Sequence, residues 1–131
     1  MKRLVFALFA VTMLALPICA QVATIEATIP FAFAAGNATL SAGTYAVTFP
    51  PSTFLATLVG SDRHTHIVGG WTRGASGQAP ALIFHRYGNQ YFLSEIRSGQ
   101  KSRMLGASRA ELELKKTAAA PRSEMIVLAM R

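Results

Sequence analysis

The three histidines are the residues whose type and spacing come closest to a metal or catalytic site. His64 and His66 lie two positions apart, and on a β-strand that spacing places both imidazoles on one face. With His85 as a third ligand, three nitrogens and an open position would hold Zn²⁺ and acidify its bound water. Nothing in the sequence places His85 beside the other two, and His64 directly follows a turn. The sequence therefore favours solvent-facing or hydrogen-bonded structural histidines, with the metal site as the alternative.

A serine-based active site has less support. Asp62 is the only aspartate, and no nucleophile elbow precedes Ser94, Ser61 or any other serine. A Ser/His/Asp triad that includes His85 therefore lacks its usual sequence context. We predict no catalytic residues and no cofactor, and the sequence leans against an enzyme.

Charged residues on the predicted strands are better explained as structural contacts. Glu26 and Glu95 are the only strand carboxylates available for a glycosidase pair, and Arg97 lies two residues after Glu95, on the same face of a strand. Arg86 is expected opposite Tyr91, where a cation over an exposed aromatic ring adds about 0.5 to 1 kcal/mol. Both arrangements indicate contacts that stabilise the fold rather than catalytic groups.

The first twenty residues have the pattern of a secretory signal peptide. Lys2 and Arg3 precede an apolar run over residues 4 to 16, which is shorter than the roughly 20 residues that cross a bilayer. Ala20 supplies the small residue expected at a cleavage site. We expect cleavage after Ala20 and an exported chain of residues 21 to 131 without a transmembrane segment, in the periplasm or outside the cell.

Cys19 offers a competing interpretation of the same region. The residues before it loosely match a lipobox, but Ile18 stands where a lipobox requires a small residue. Cleavage after Ala20 would remove the only cysteine. A cysteine-free mature chain forms no disulfide and offers neither a cysteine nucleophile nor a cysteine-ligated metal.

The charge of the chain is positive and concentrated towards its C-terminal third. Loss of Lys2 and Arg3 with the signal peptide lowers the formal net charge from +7 to +5. Basic residues dominate residues 99 to 131, with carboxylates between them, which favours an ordinary solvated face. The alternative is attraction to anionic components of the cell envelope such as acidic polysaccharide or phosphate-rich glycolipid. Nucleic acid is not expected as a partner of an exported chain.

Alternation of apolar and polar residues predicts an all-β fold. Residues 25 to 33 alternate with period two, although Pro30 cannot donate to a ladder and indicates an edge or a bulge. Residues 53 to 68 read as a hairpin, residues 72 to 80 have the composition of a loop, and residues 125 to 130 read as a buried closing strand.

The most strongly predicted hairpin joins residues 81 to 87 and 90 to 97 through Gly88-Asn89, a two-residue turn in which glycine supplies the positive φ. Both faces of this hairpin are largely apolar, which predicts cover on both sides, as in a sandwich or a small barrel. The turn sets the register, in which we expect Tyr87 opposite Gln90, Arg86 opposite Tyr91, His85 opposite Phe92, Phe84 opposite Leu93 and Leu82 opposite Glu95.

A short helix is predicted near the C-terminus. Ser108 followed three residues later by Glu111 forms a capping box, and residues 109 to 116 are rich in helix formers. Leu112 and Leu114 alternate with glutamates, so a strand is the alternative. The chain as a whole predicts a single antiparallel sandwich or small barrel of about seven or eight strands with one short helix, over residues 21 to 131.

The aromatic side chains are expected mainly in the core. They fall largely on the apolar faces of the predicted strands, and a cavity for a small apolar ligand is the alternative. The residues concerned are Phe31, Phe33, Tyr45, Phe49, Phe54, Trp71, Phe84 and Phe92.

Four segments resemble, in the same order, a group of short, uncharacterised exported proteins from acidobacteria. They are residues 27 to 33, 42 to 45, 82 to 93 and 108 to 111. The resemblance implies an exported, single-domain, β-rich protein and no particular activity or functional residue. Together with the patterns above, it favours a non-enzymatic binding or structural module of unknown ligand. The alternatives are a small metal-dependent enzyme with a His-x-His strand site and a carrier of a small apolar ligand.

Overall fold

The computed structural model describes residues 24–50, 53–74, 77–99, 101–117 and 124–131. The predicted signal peptide and Cys19 lie outside the described residues. Within those residues the chain forms one short helix and eleven strands, several of them only three or four residues long. The strands are β1 (Thr24–Ile29), β2 (Phe33–Ala35), β3 (Ala38–Leu40), β4 (Gly43–Thr48), β5 (Leu55–Gly60), β6 (Thr65–Gly69), β7 (Trp71–Gly74), β8 (Ala81–Tyr87), β9 (Gln90–Arg97), β10 (Lys101–Met104) and β11 (Glu124–Ala129), and the helix is α1 (Arg109–Lys116).

The strands form two sheets that pack face to face. The smaller sheet has the order β1-β4-β5-β6, and the larger has the order β11-β8-β9-β10-β7, with β2 also pairing with β9 and β3 with β2. All pairs are antiparallel except that of β2 with β9. The sheets do not close into a barrel, so the predicted all-β fold with one short C-terminal helix is confirmed in its sandwich form.

The core lies between the two sheets. Alternate residues of the smaller sheet, including Val47 and Leu58, meet alternate residues of β8 and β9, including Phe84 and Ile96, and these four are fully buried. Phe33, on β2, packs edge-on against Phe84, with ring centroids 5.3 Å apart. The face of the larger sheet that carries Phe84 therefore points inward, and its opposite face is the outer surface of the sandwich.

The chain changes sheets at Pro30. The strand β1 ends at Ile29 in the smaller sheet, and β2 begins at Phe33 in the larger sheet. Strand β1 is an edge strand, as we expected from Pro30. Proline has no N–H to donate to a ladder and is therefore tolerated at the edge of a sheet. The single nine-residue strand suggested by the alternation is thus two strands with a crossing between them.

The central hairpin has the predicted turn but a different register beyond it. The pairs from Tyr87–Gln90 to Phe84–Leu93 form as predicted. The expected pairing of Leu82 with Glu95 is wrong, because a β-bulge at Ser94 adds one residue to β9 and places Glu95 opposite Ile83. This shift moves Glu95 to the outer face.

Two other sequence predictions are corrected at the edges of the larger sheet. Residues 72 to 74, expected in a loop, belong to β7 and pair with β10. The closing strand β11 was expected to be buried, but it is an edge strand whose Met125 and Val127 are 65% and 55% exposed. On one face of this strand Ile126 and Leu128 pack against the core. On the other face Met125 and Val127 contact solvent. Among the described residues, no helix is long and apolar enough to cross a membrane.

Candidate functional site

Helix α1 begins as the sequence predicts, but its capping glutamate is used differently. Ser108 is the N-cap, and its hydroxyl accepts a 3.2 Å hydrogen bond from the backbone N–H of Glu111. In a complete capping box the glutamate side chain would reach back to the N-cap N–H. Here the Glu111 side chain instead turns to the sheet, and the residue is only 3% exposed.

The Glu111 carboxylate joins three side chains at one oxygen. His85 Nδ1 and the Tyr87 hydroxyl each donate to Oε1 over 3.0 Å, and Lys115 Nζ lies 3.5 Å from the same atom. His85 and Tyr87 alternate on the outer face of β8, while Glu111 and Lys115 are one helical turn apart. We call these four residues the Glu111 cluster.

The cluster changes the acidity of two of its members. Burial, together with the hydrogen bond to Glu111 and its charge, raises the pKa of Tyr87 above its ordinary value. Burial opposes the charged form of Lys115, but the carboxylate of Glu111 and the contact with Tyr87 outweigh it and raise the pKa of Lys115. At neutral pH the cluster therefore holds a neutral tyrosine and a charged lysine.

Apolar side chains surround the cluster on the outer face of the sheet. Ile83, Tyr87 and Phe92 are at most 6% exposed, yet they lie apart from the core between the sheets. The rings of Tyr87 and Phe92 meet edge-on, with centroids 5.8 Å apart. A low-dielectric setting of this kind strengthens the hydrogen bonds to Glu111.

The three histidines are not brought together. His66 lies on β6 opposite Leu58 in the smaller sheet, and His64 immediately precedes that strand, where its N–H bonds to Asp62. His85 lies on the outer face of the larger sheet. Within the described part of the chain, no three His, Cys, Asp or Glu side chains are placed to hold a metal together.

A second polar group lies farther along the same outer face. Arg97 Nε donates to Glu95 over 2.9 Å, as the sequence predicted, and the Ser102 hydroxyl also donates to Glu95. Burial alone would raise the pKa of Glu95, but the hydrogen bonds from Arg97 and Ser102, with the charges of Arg97 and Arg73, lower it. Two arginines thus surround one carboxylate.

Trp71 and Arg73 stand beside this group on the edge strand β7. They lie opposite Met104 and Ser102 of β10, and both side chains are exposed, Trp71 by 56%. A Cβ on Gly106 would lie 3.7 Å from Cζ3 of Trp71, so the indole rests against the chain at that glycine. We call the surface formed by Trp71, Arg73, Arg97 and Met104 the Trp71 face.

The expectation that the aromatic residues form the core is wrong for three of them. Phe33, Tyr45 and Phe84 lie in the core, and Phe31 and Phe49 pack against it, whereas Phe92 is buried on the outer face of the larger sheet. By contrast Trp71 and Phe54, which is 70% exposed, face solvent. The predicted cation–π contact of Arg86 over Tyr91 is confirmed, with a distance of 5.6 Å from the guanidinium carbon to the ring centroid.

Arg103 is a buried cation that the sequence did not single out. It lies on the inner face of β10, is 4% exposed, and donates to the carbonyls of Thr53 and Pro50 over 2.5 and 3.0 Å. Burial lowers the pKa of Arg103, and its guanidinium carbon lies 5.8 Å from the centroid of the Phe49 ring. Arg103 therefore ties the larger sheet to the chain that follows β4.

Sequence reasoning named His85 but missed the rest of the Glu111 cluster. The capping box already explained a glutamate at position 111, so nothing in the sequence indicated a contact between Glu111 and the sheet. No sequence motif marked Tyr87 or Lys115. Comparison of the chain with protein-family models, with curated proteins and with solved structures gave no match. The protein is a mostly antiparallel β-sandwich with a helix docked on its larger sheet. Two polar groups, the Glu111 cluster and the group around Glu95, lie on the outer face of that sheet.

Proposed function

We propose that this protein is an exported, non-enzymatic binding module that takes an acidic polysaccharide of the cell envelope on the Trp71 face. The observation that carries the proposal is the placement of Trp71 and Arg73 at alternate positions of an exposed edge strand. Their side chains share one face about 7 Å apart along the strand. An indole and a guanidinium at that spacing offer a stacking surface for a sugar ring and a partner for its carboxylate.

The local charge supports an anionic ligand. Arg73 and Arg97 surround the single carboxylate of Glu95, and Arg97 forms the ion pair with it. Arg73, exposed at the edge, leaves this group with a surplus positive charge. The net charge of +5 for residues 21 to 131 acts in the same direction at longer range.

The shape of the surface also supports the proposal. Trp71 lies against the chain at Gly106 and opposite Met104, and it is 56% exposed, so the indole is supported by the protein and open to a ligand. Export, the other part of the proposal, is supported by the signal-peptide pattern of residues 1 to 20.

Titration with polygalacturonate, an acidic polysaccharide, tests the ligand class. Trp71 is the only tryptophan, so its fluorescence reports binding at the proposed site, and calorimetry measures the affinity. We expect binding that weakens as salt rises, with no binding of neutral dextran. Absence of binding, equal binding of dextran or an affinity independent of salt would overturn the proposed ligand.

Four variants test the location of the site. Trp71→Ala should lower the affinity for polygalacturonate by about tenfold or more, as loss of a central aromatic contact does, and Arg73→Gln should lower both the affinity and its salt dependence. Ile67→Ala, on the smaller sheet, and Arg109→Gln, on the helix, are matched controls at exposed positions and should bind normally. Equal losses in controls and test variants would show that the Trp71 face is not the site.

The mass of the protein recovered from the periplasm of an expression host tests export. We expect the mass of residues 21 to 131. An unprocessed chain that stays in the cytoplasm would contradict the exported part of the proposal, while the polysaccharide titration would still decide the binding part.

A further inference from the structure

Met125 and His85 lie directly opposite each other on the outer face of the larger sheet. They are a register pair of β11 and β8, so their Cβ atoms are about 5 Å apart. Met125 is 65% exposed and the His85 side chain 32%. A thioether and an imidazole are therefore adjacent and reachable from solvent, outside the Trp71 face.

The Glu111 cluster determines which nitrogen of His85 is available. His85 Nδ1 donates to Glu111, which leaves Nε2 as the nitrogen with a free lone pair. A buried carboxylate bonded to the second nitrogen is the arrangement that orients metal-binding histidines and increases their basicity. The cluster thus prepares His85 as a ligand through Nε2.

Helix α1 and Met125 both lie beside His85. Helix α1 stands over the hairpin of β8 and β9, where Ala110 borders a cleft with Tyr91 and Phe92. Strand β11 flanks β8 on the other side. Helix α1 thus occupies Nδ1 of His85, while Met125 lies directly beside this histidine on the neighbouring strand.

We propose that His85 Nε2 and Met125 Sδ form a binding site for Cu(I). Thioether sulfur is a soft ligand that selects Cu(I), and imidazole also suits copper. Zinc would require further nitrogen, sulfur or carboxylate ligands, and the described residues provide no group of three. Cu(I) is satisfied by few ligands, so an adjacent histidine and methionine make a complete site.

The charges around the pair do not oppose a monovalent cation. Within the Glu111 cluster the carboxylate of Glu111 compensates the ammonium of Lys115 at 3.5 Å. Arg86 belongs to the opposite face of β8, where its guanidinium lies over Tyr91 and 3.4 Å from Glu124. The site is separate from the proposed polysaccharide surface and does not depend on it.

Competition with a chromophoric Cu(I) chelator under ascorbate measures the affinity. The protein is purified from the periplasm as residues 21 to 131, which contain no cysteine to compete for the metal. We expect one Cu(I) per chain. His85→Asn and Met125→Leu should each weaken binding by about tenfold or more, whereas His66→Asn and Met104→Leu should leave it unchanged. Unaltered binding in Met125→Leu, or no bound copper, would overturn the site.

Methyl NMR separates metal binding from an effect on folding. With ¹³C-methyl methionine and Ag(I) as a substitute for Cu(I) that air does not oxidise, we expect the Met125 methyl signal to shift, with those of Met104 and Met130 unchanged. The Met125 signal should not respond in His85→Asn if that variant shows the wild-type circular dichroism. A shift confined to other methionines, or an identical Met125 shift in His85→Asn, would show that these two residues do not bind the metal together.

Discussion

Glu111 Oε1 lies 3.0 Å from Nδ1 of His85, 26 residues away in the chain, and this contact joins helix α1 to the outer face of the larger sheet. The helix has eight residues, too few to be stable alone in water. Its only buried residue is Glu111, so a carboxylate, rather than an apolar stripe, anchors it.

Replacement of Glu111 by alanine should loosen the helix. The variant leaves the buried hydroxyl of Tyr87 and Nδ1 of His85 without their partner, which costs about 1 to 3 kcal/mol of the free energy of unfolding. Glu113→Ala is the matched control, because Glu113 is 67% exposed and pairs only with Lys116. Glu113→Ala should lower the free energy of unfolding by less than about 1 kcal/mol. Urea denaturation followed by circular dichroism measures both, and equal losses would contradict the anchoring role of Glu111.

Alkaline pH should weaken the fold through Tyr87 and Lys115. Burial and Glu111 raise the pKa of Tyr87, and Glu111 raises that of Lys115 against the effect of burial. Groups whose pKa is higher in the folded state contribute stability that is complete below the unfolded pKa and is lost as pH rises through the folded pKa. We therefore expect the free energy of unfolding to fall above about pH 10.

Tyrosine variants identify the source of this decline. Tyr87→Phe should remove the tyrosine part of the slope, whereas Tyr91→Phe, whose ring stacks on Phe31 at 3.8 Å, should keep it. Urea denaturation at a series of values from about pH 9 to about pH 11 provides the measurement. A Tyr87→Phe protein with the wild-type slope would show that Tyr87 does not contribute to it.

Gly70, just before β7, and Gly74, the last residue of that strand, should respond differently to replacement by alanine. A Cβ on Gly70 would collide with the backbone carbonyl oxygen of Met104, whereas a Cβ on Gly74 meets nothing within 4 Å. Gly70→Ala should therefore displace β7 from β10 and cost about 1 to 3 kcal/mol, while Gly74→Ala should stay within about 0.5 kcal/mol of wild type. Thermal denaturation followed by Trp71 fluorescence reports both, and a stable Gly70→Ala protein would show that β7 accommodates the methyl group easily.

Arg103 should contribute to stability despite the cost of burying its charge. Arg103→Met removes the donor to the Thr53 carbonyl and one of two donors to the Pro50 carbonyl, which keeps the N–H of Thr53 at 3.4 Å, and we expect a loss of about 1 to 3 kcal/mol. Lys101→Met, at an exposed position on the same strand, is the control and should change little. If Arg103→Met proves as stable as the control in urea denaturation, methionine packing compensates for the lost hydrogen bonds, as at some other buried charges.

The accuracy of the sequence predictions depends on how local each feature is. Helix α1 has the predicted bounds because Ser108 and the run of helix formers act within a few residues. The pairing of Leu82 with Glu95 failed because it assumed an uninterrupted ladder. The bulge at Ser94 is held within the hairpin by the Ser94 hydroxyl, which donates to the Ile83 carbonyl over 3.1 Å. It is also held from outside the hairpin, by a 2.8 Å hydrogen bond from the N–H of Leu105 to the Ser94 carbonyl.

The candidate sites were less predictable than the fold. His85 was considered as a metal ligand only because it is a histidine. Its partner Glu111 was assigned to the capping box, and Met125 was expected to be buried. Trp71 is exposed because β7 pairs with β10 at the edge of the sheet. The sequence did not predict this strand, because residues 72 to 80 have the composition of a loop.

By itself, the sequence determined that the chain forms antiparallel strands around an apolar interior and ends with a short helix before a last strand. Period-two alternation, turn glycines and a capping serine act over a few residues and can be read without the fold. Only the tertiary structure decided that Glu111 meets His85, that Met125 faces solvent beside it and that Trp71 lies open at an edge. Those outcomes depend on which strands pair and in what register, and contacts between distant residues decide both.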